Sequence, residues 1–406
     1  MRPASAPPRG SALEVLRVFL ALGVTSFGGP VAHLGYFREE LVARRRWVSE
    51  PQYAELVALC QFLPGPASSQ VGFALGLIRA GGLGALAAWA AFTLPSALLM
   101  VLFAIGAVSL DGPVGQGVLA GLKCVAVAVV AHAVWGMART LTPDLRRLVI
   151  AAVAAALALL LPGNLGQIAA ILLGLAAGAL LCRRAVPEVA EPLDVRVSRR
   201  VALAALALFG LLLGALPILA RAGHEIWAGI ADAFFRAGAL VFGGGHVVLP
   251  LLQAEPMIAD AVGREQFLAG YGAAQAVPGP LFTFAAYLGF EMGPGGAAPM
   301  TALLSLVAVF LPGILLLLGA LPFWNRLRAS AAVRSAMAGA NAAVVGILGA
   351  ALWTPVITSG ITGPASLLIA SGCLALLVVW RLPAWIAVAA GAACGAAAGL
   401  LVPGWI

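Results

Sequence analysis

Read for polarity, the chain is a succession of long apolar runs separated by short polar gaps. The runs fall at about residues 12–27, 53–78, 83–108, 115–137, 148–161 and 166–182, then 201–220, then 226–242, 267–290, 299–321, 333–353, 365–380 and 384–402. They are continuously apolar rather than alternating, which predicts membrane helices and not barrel strands. The expected fold is an all-α integral membrane protein of about 13 hydrophobic segments. Two runs near the start are interrupted. The first gives roughly 16 residues, about 24 Å of helix, against a hydrocarbon core of about 30 Å. Gly28-Gly29-Pro30 then breaks it, and an amphipathic stretch carrying Val31, Leu34, Phe37 and Leu41 on one face runs on to Arg44-Arg45-Arg46-Trp47. The second is split by Pro64-Gly65-Pro66.

The interruptions recur. Phe27 and Phe242 each open a Phe-Gly-Gly triplet and lie 215 apart; Gln61 and Gln275 each stand three residues ahead of a Pro-Gly-Pro and lie 214 apart. Leu94-Pro95 and Leu311-Pro312 are 217 apart, and Trp135 and Trp353 are 218 apart. A nearly constant offset carried by Pro, Gly and Trp is an internal repeat. Six segments per half with one extra between them set the second half upside down, which predicts an inverted-topology repeat. The expected division is a first repeat at 1–182, a cytoplasmic linker at 183–200, an extra helix within 201–225 and a second repeat at 226–406. With the N-terminus inside, the arginines of 139–147, 183–200 and 326–334 fall in the cytoplasm and the chargeless 355–364 loop falls outside. Arg44–Arg46 is the exception if every segment spans. It returns inside if the broken segments are re-entrant, which is the reading favoured here.

Composition sharpens the class. The chain is 62% hydrophobic and 10% charged, well below the charge of a soluble domain. Its net charge of +8 reflects arginines flanking apolar runs, so topology explains it and nucleic acid is not expected as a partner. The five cysteines are scattered without metal or redox spacing. No small-residue cleavage site follows the first apolar run, so a removable signal peptide is not expected.

A broken membrane helix exposes free N–H groups at the positive end of its dipole, and together these suit an anion. Candidate substrate-binding residues are Gly28, Gly29, Gln61, Pro64, Gly65 and Pro66 in the first half, the prolines as helix breakers, with the donors Ser68, Ser69 and Gln70 just beyond. The second half offers Gly243, Gly244, Gln275, Pro278, Gly279 and Pro280, followed by Thr283 and Tyr287. The plainer alternative is that these residues only kink helices for packing. Lys123, the chain's only lysine, sits inside an apolar run, and the repeat places it opposite Asn341. It would neutralise an anion, shuttle a proton or snorkel to the interface. His33 and His246 follow the two glycine breaks and are candidates for proton coupling, as is Lys123; buried structural histidine is the alternative. His132 has weaker context, Arg236 is the deeper anion partner, and Arg17 reads as an interfacial anchor. Acidic residues are nearly absent from the runs, which argues against a cation path. No nucleophile elbow, phosphate loop or paired-carboxylate site appears, so no enzyme activity, cofactor or metal is expected.

Four stretches carry a family resemblance. They are Ser-Phe-Gly-Gly-Pro-Val-Ala-His at 26–33, Gln-Phe-Leu-Pro-Gly-Pro-Ala-Ser-Ser-Gln at 61–70, Phe-Gly-Gly-Gly-His-Val-Val-Leu-Pro at 242–250, and Gly-Ala-Ala-Gln-Ala-Val-Pro-Gly-Pro at 272–280. They resemble the chromate transporter family in its long, two-domain form, over nearly the whole chain. The resemblance implies a multi-pass inner (plasma) membrane exporter of chromate, driven by the proton-motive force and conferring chromate resistance. Its signature positions carry over as the Phe-Gly-Gly and Pro-Gly-Pro residues of both halves. The expected partners are chromate or a similar oxyanion such as sulfate and the lipid bilayer, with a homodimer left open; a passive anion channel is the alternative class.

Overall fold

The computed structural model describes residues 10–107, 112–161, 163–182, 197–223 and 226–401, so most of the expected linker, 183–196, lies outside the described residues. Among the described residues every regular element is helical. The first half contains α1 (Ala12–Thr25), α2 (Gly29–Phe37), α3 (Glu50–Phe62), α4 (Ala67–Ala107), α5 (Pro113–Leu141), α6 (Leu145–Leu160) and α7 (Leu165–Leu181). After α8 (Arg199–Ala222) come α9 (Ile226–Ala239), α10 (Val248–Gln253), α11 (Pro256–Ala261), α12 (Arg264–Ala274), α13 (Phe284–Met292) and α14 (Ala298–Ala320). The chain ends with α15 (Trp324–Ala329), α16 (Ala331–Ala351), the single turn α17 (Thr358–Gly360), α18 (Pro364–Val378) and α19 (Ala384–Leu401).

Six helical stretches among the described residues are long and apolar enough to cross a bilayer: Ala67–Ala107, Pro113–Leu141, Arg199–Ala222, Gly295–Ala329, Ala331–Gly360 and Ala384–Leu401. The broken segments are shorter pieces folded back on themselves. Ser11 caps α1 by accepting the Glu14 N–H, and the start of α1 is tied to residue 79: the Gly10 N–H donates to the Arg79 carbonyl at 3.0 Å, and Glu14 pairs with Arg79 at 3.0 Å. The chain turns at Gly28 (φ 101) and Gly29 (φ 78) and comes back through α2, until the Trp47 ring lies 5.3 Å beneath the Arg79 guanidinium. A Ser49/Gln52 capping box then starts α3, whose hairpin partner, 67–79, also ends at Arg79. Both hairpins of the first half therefore open at one level. The chain leaves that level at Gly81 (φ 66), where α4 breaks and its longer second part begins.

The second half repeats the plan. α9 turns at Gly243 (φ 74) and Gly244 (φ 151) and returns through α10, so that Met257 packs against Gly229. α12 and α13 form the other hairpin, with the Tyr287 hydroxyl donating to the Gln266 carbonyl at 3.0 Å and the Phe267 and Phe284 rings 5.1 Å apart.

The two halves also exchange partners. α5 packs against α18 and α19 of the second half, and α16 packs against α6 and α7 of the first. Glycines set these contacts: Gly117 and Gly121 meet Gly395 and Gly391, and Gly174 and Gly178 meet Gly339. In lipid the hydrophobic effect between helices is absent, so close backbone approach and dispersion must hold such pairs together. A Cβ at Gly121 would strike the Gly391 carbonyl oxygen, and one at Gly339 the Gly174 carbonyl oxygen. Gly210 on α8 faces open space.

Overpacked cores typically lose about 1–3 kcal/mol. Gly121→Leu and Gly339→Leu are each expected to lower the melting temperature of the purified protein in detergent, while Gly210→Leu leaves it unchanged. Differential scanning fluorimetry with size-exclusion profiles measures this.

Candidate functional site

The two Pro-Gly-Pro breaks meet the opposite half's glycine breaks. The Gly65 N–H donates to the Val241 carbonyl at 2.8 Å, and the Gly279 N–H donates to the Ser26 carbonyl at 2.8 Å. Each break thus satisfies a backbone group that the other leaves open, as an apolar environment requires. Both glycines hold left-handed backbone, φ 120 at Gly65 and φ 93 at Gly279, which L side chains adopt at a cost. Neither has room for a side chain: a Cβ on Gly65 would stand 2.9 Å from the Gly313 Cα, and one on Gly279 would strike the Ser96 hydroxyl. Gly313 and Ser96 follow the repeat-related Pro312 and Pro95 inside α14 and α4. Their surroundings complete the symmetry. The Gln70 amide donates to the carbonyls of Pro64 (3.1 Å) and Gly313 (2.8 Å), and the Ser96 hydroxyl donates to the Pro278 carbonyl.

Against one of these junctions, that of the Gly279 tip with the first half's glycine break, lies a cavity of about 760 Å³. Gly28, Gly29 and Pro30, at the N-terminal end of α2, form one wall; His246, Gln275 and Gly279 form another. α5 contributes His132, Trp135, Arg139 and Thr140, and the connection between α18 and α19 contributes Arg381. No Asp or Glu lines it among the described residues. The His246 ring bonds the Tyr271 hydroxyl at 2.8 Å, and the Gln275 amide nitrogen is buried without a hydrogen-bond partner. A helix N-terminus, neutral donors and two guanidinium groups make a surface suited to an anion.

The structure brings some sequence candidates together and not others. Gly28, Gly29, Gln275, Gly279 and His246 share the cavity wall. Ser68, Ser69 and Gln70 are buried behind the first tip, outside the cavity lining. His33 is buried with them, 3.4 Å from the Ser68 hydroxyl and edge-on to Phe92; its Nε2 has no partner. Gly243 and Gly244 form the opposite turn, where the partnerless Asn341 Oδ1 would stand 3.5 Å from a Cβ on Gly243. Thr283 donates to the Pro280 carbonyl at 2.8 Å and shapes the start of the helix beyond the second tip. Gln61 is exposed and Lys123 is off the cavity, its ammonium 3.2 Å from the exposed Glu265 carboxylate. Arg236 is neutralised between Asp232 (2.9 Å) and the buried Glu255 (2.7 Å), and Glu255 also accepts from Asn164 at 3.3 Å.

Arg139 and Arg381 are the cavity residues that sequence reasoning passed over. Arg139 sits in the last turn of α5 and Arg381 in the α18–α19 connection, places where an arginine reads as a topological charge. Only the stacking of Arg139 over Trp135, four residues earlier and 5.5 Å away, was visible as a local pattern.

The family model described as "Chromate transporter" matches this chain twice, over residues 13–180 and 228–396. The chromate transport protein of Pseudomonas aeruginosa is 30% identical over 85% of this chain and 81% of its own length. That of Cupriavidus metallidurans is 27% identical over 82% and 80% respectively, and an uncharacterized transporter of Methanocaldococcus jannaschii is 26% identical over 78% of each. No solved structure matches. Two matches of the family model in the two halves that the glycine and Pro-Gly-Pro breaks define, together with a relative 30% identical over 85% of this chain, place the chain in the chromate transporter family.

Proposed function

We propose that the chain is a secondary transporter that carries chromate out of the cytoplasm across the inner membrane, driven by the proton-motive force and conferring chromate resistance. The observation that carries this reading is the cavity: its wall carries two cations and several neutral donors, has no carboxylate among the described residues, and ends where the Gly279 tip is stapled to the first half's glycine break. A tetrahedral dianion is the ligand class that such a wall favours, and the family supplies chromate as its cargo. Sulfate has the same shape and charge and is the natural competitor.

The hairpins suggest a topology. If each pair of broken helices enters and leaves on one face, nine crossings remain: 82–107, α5, α6, α7, α8, α14, α16, α18 and α19. An offset of five crossings turns the second half upside down. With the N-terminus inside, Arg44–Arg46, Arg139, Arg146, Arg147, Arg326, Arg328, Arg334 and Arg381 all lie on the cytoplasmic face, and Arg221 and Arg264 are the exceptions. The cavity, whose rim carries Arg139 and Arg381, then opens to the cytoplasm.

Three outcomes are expected. Inside-out vesicles take up labelled chromate when a proton gradient is imposed, and sulfate competes; uptake indifferent to the gradient would point to a channel. Gly65→Ala and Gly279→Ala insert normally but reduce uptake to background, since each adds about 1–3 kcal/mol of backbone strain and a steric clash at a tip. In a cysteine-free background, Arg45→Cys and Arg326→Cys react with an impermeant maleimide only from the cytoplasmic face, and Thr358→Cys only from the other.

A further inference from the structure

The repeat makes the placement of charge at the cavity informative. At the positions in the second half equivalent to His132 and Arg139, 218 residues on, stand Ala350 and Ile357. The α6–α7 connection, which corresponds to the α18–α19 connection bearing Arg381, carries no cation at Leu161, Gly163 or Asn164. The fold therefore does not demand arginine at either place. Neither guanidinium has a carboxylate within ion-pair distance among the described residues, whereas Arg79, Arg147, Arg236 and Arg328 are each paired with one. Arg381 is held at φ 53, a backbone region that costs a non-glycine residue energy, and the segment carrying it folds over the cavity through Leu377, Leu382 and Pro383. Arg139 is braced over the Trp135 ring, itself on the cavity wall. Two unpaired guanidiniums on a carboxylate-free wall focus a positive potential into a confined space.

The geometry points to Arg139 and Arg381 as a capture site for the oxyanion at the mouth of the cavity, upstream of the tips of the broken helices. This deepens the proposed function and rests on it. The arginines are donors that an incoming tetrahedral dianion meets before it sheds water. Capture at the mouth raises the local substrate concentration and leaves the translocation step to the tips. Loss of the arginines thus acts on the concentration dependence of uptake and not on its maximum rate. Simple topological anchors would behave otherwise: their removal would alter insertion and leave substrate affinity untouched.

The experiment has two arms. In inside-out vesicles, initial rates of labelled chromate uptake are measured against concentration at low and high salt. The Arg139→Gln/Arg381→Gln double variant is expected to raise the half-saturating concentration by about tenfold at low salt, keep the maximum rate, and lose most of the salt dependence. The double lysine variant stays near wild type, and Arg326→Gln, which removes one exposed charge on the same face away from the cavity, has no effect. The second arm needs no transport. In a cysteine-free background, Gly136→Cys places a thiol on the cavity wall where nothing crowds it. Its reaction rate with an anionic sulfonate methanethiosulfonate, relative to a cationic ammonium one, is expected to fall about tenfold when both arginines become glutamine. An unchanged rate ratio, or an unchanged half-saturating concentration, overturns the capture site. Absence of chromate uptake by the wild-type chain would instead overturn the proposed function, and the thiol arm would still decide the capture site.

Discussion

Two hydrogen bonds, Gly65 N–H to Val241 and Gly279 N–H to Ser26, carry the architecture. A helix broken inside lipid leaves backbone groups that water cannot reach, and the cost of leaving them open runs to several kcal/mol each. This chain breaks four helices and resolves the problem by pairing the breaks across the halves. The left-handed glycines, the absence of room for a Cβ at either tip, and the supporting donors Gln70 and Ser96 all follow from that pairing. So does the exchange of partners, in which each half's long central helix packs on the other half's last two. Neither half has its backbone satisfied alone.

On this shared frame the halves diverge in charge. Lys123 in one stands where Asn341 stands in the other; Arg17 stands opposite Asp232, and Ala21 opposite Arg236. Arg139 of the first half stands where the second has Ile357, and with Arg381 it puts cations on the wall of the cavity beside Gly279. In the second half, Arg236 is consumed by Asp232 and Glu255, with Asn164 of the first half joining the cluster.

Much of this was legible in the sequence because Pro and Gly speak locally. The repeat, the positions of the four breaks and the need for glycine at each tip follow from letters that constrain backbone whatever surrounds them. The hairpins were also within reach, since Arg44–Arg46 fits the positive-inside pattern only if the chain turns back, and the structure returns that segment to Arg79. What could not be read was partner choice. Apolar helices of Ala, Leu and Gly carry no signal for which neighbour they meet, so the packing of α5 on α19 and the convergence of Gly28 with Gln275 emerge only in three dimensions. Side-chain partners were hidden for a related reason. Lys123 looked central because it is buried in sequence, yet its long stem reaches Glu265 at a helix end. Arg236 looked like a free cation because its acids lie 4 and 19 residues away. Arg139 read as one of the topological charges of 139–147, and Arg381, in the α18–α19 connection, carried no local signal.

The central claim is that the two breaks hold each other. Amide hydrogen exchange at Gly65 and Gly279, measured on the protein in lipid nanodiscs with glycine-selective labelling, tests it most directly. The account predicts that both amides, though outside any helix, exchange as slowly as amides within the membrane helices. Exchange at the rate of an open loop at either position would contradict it.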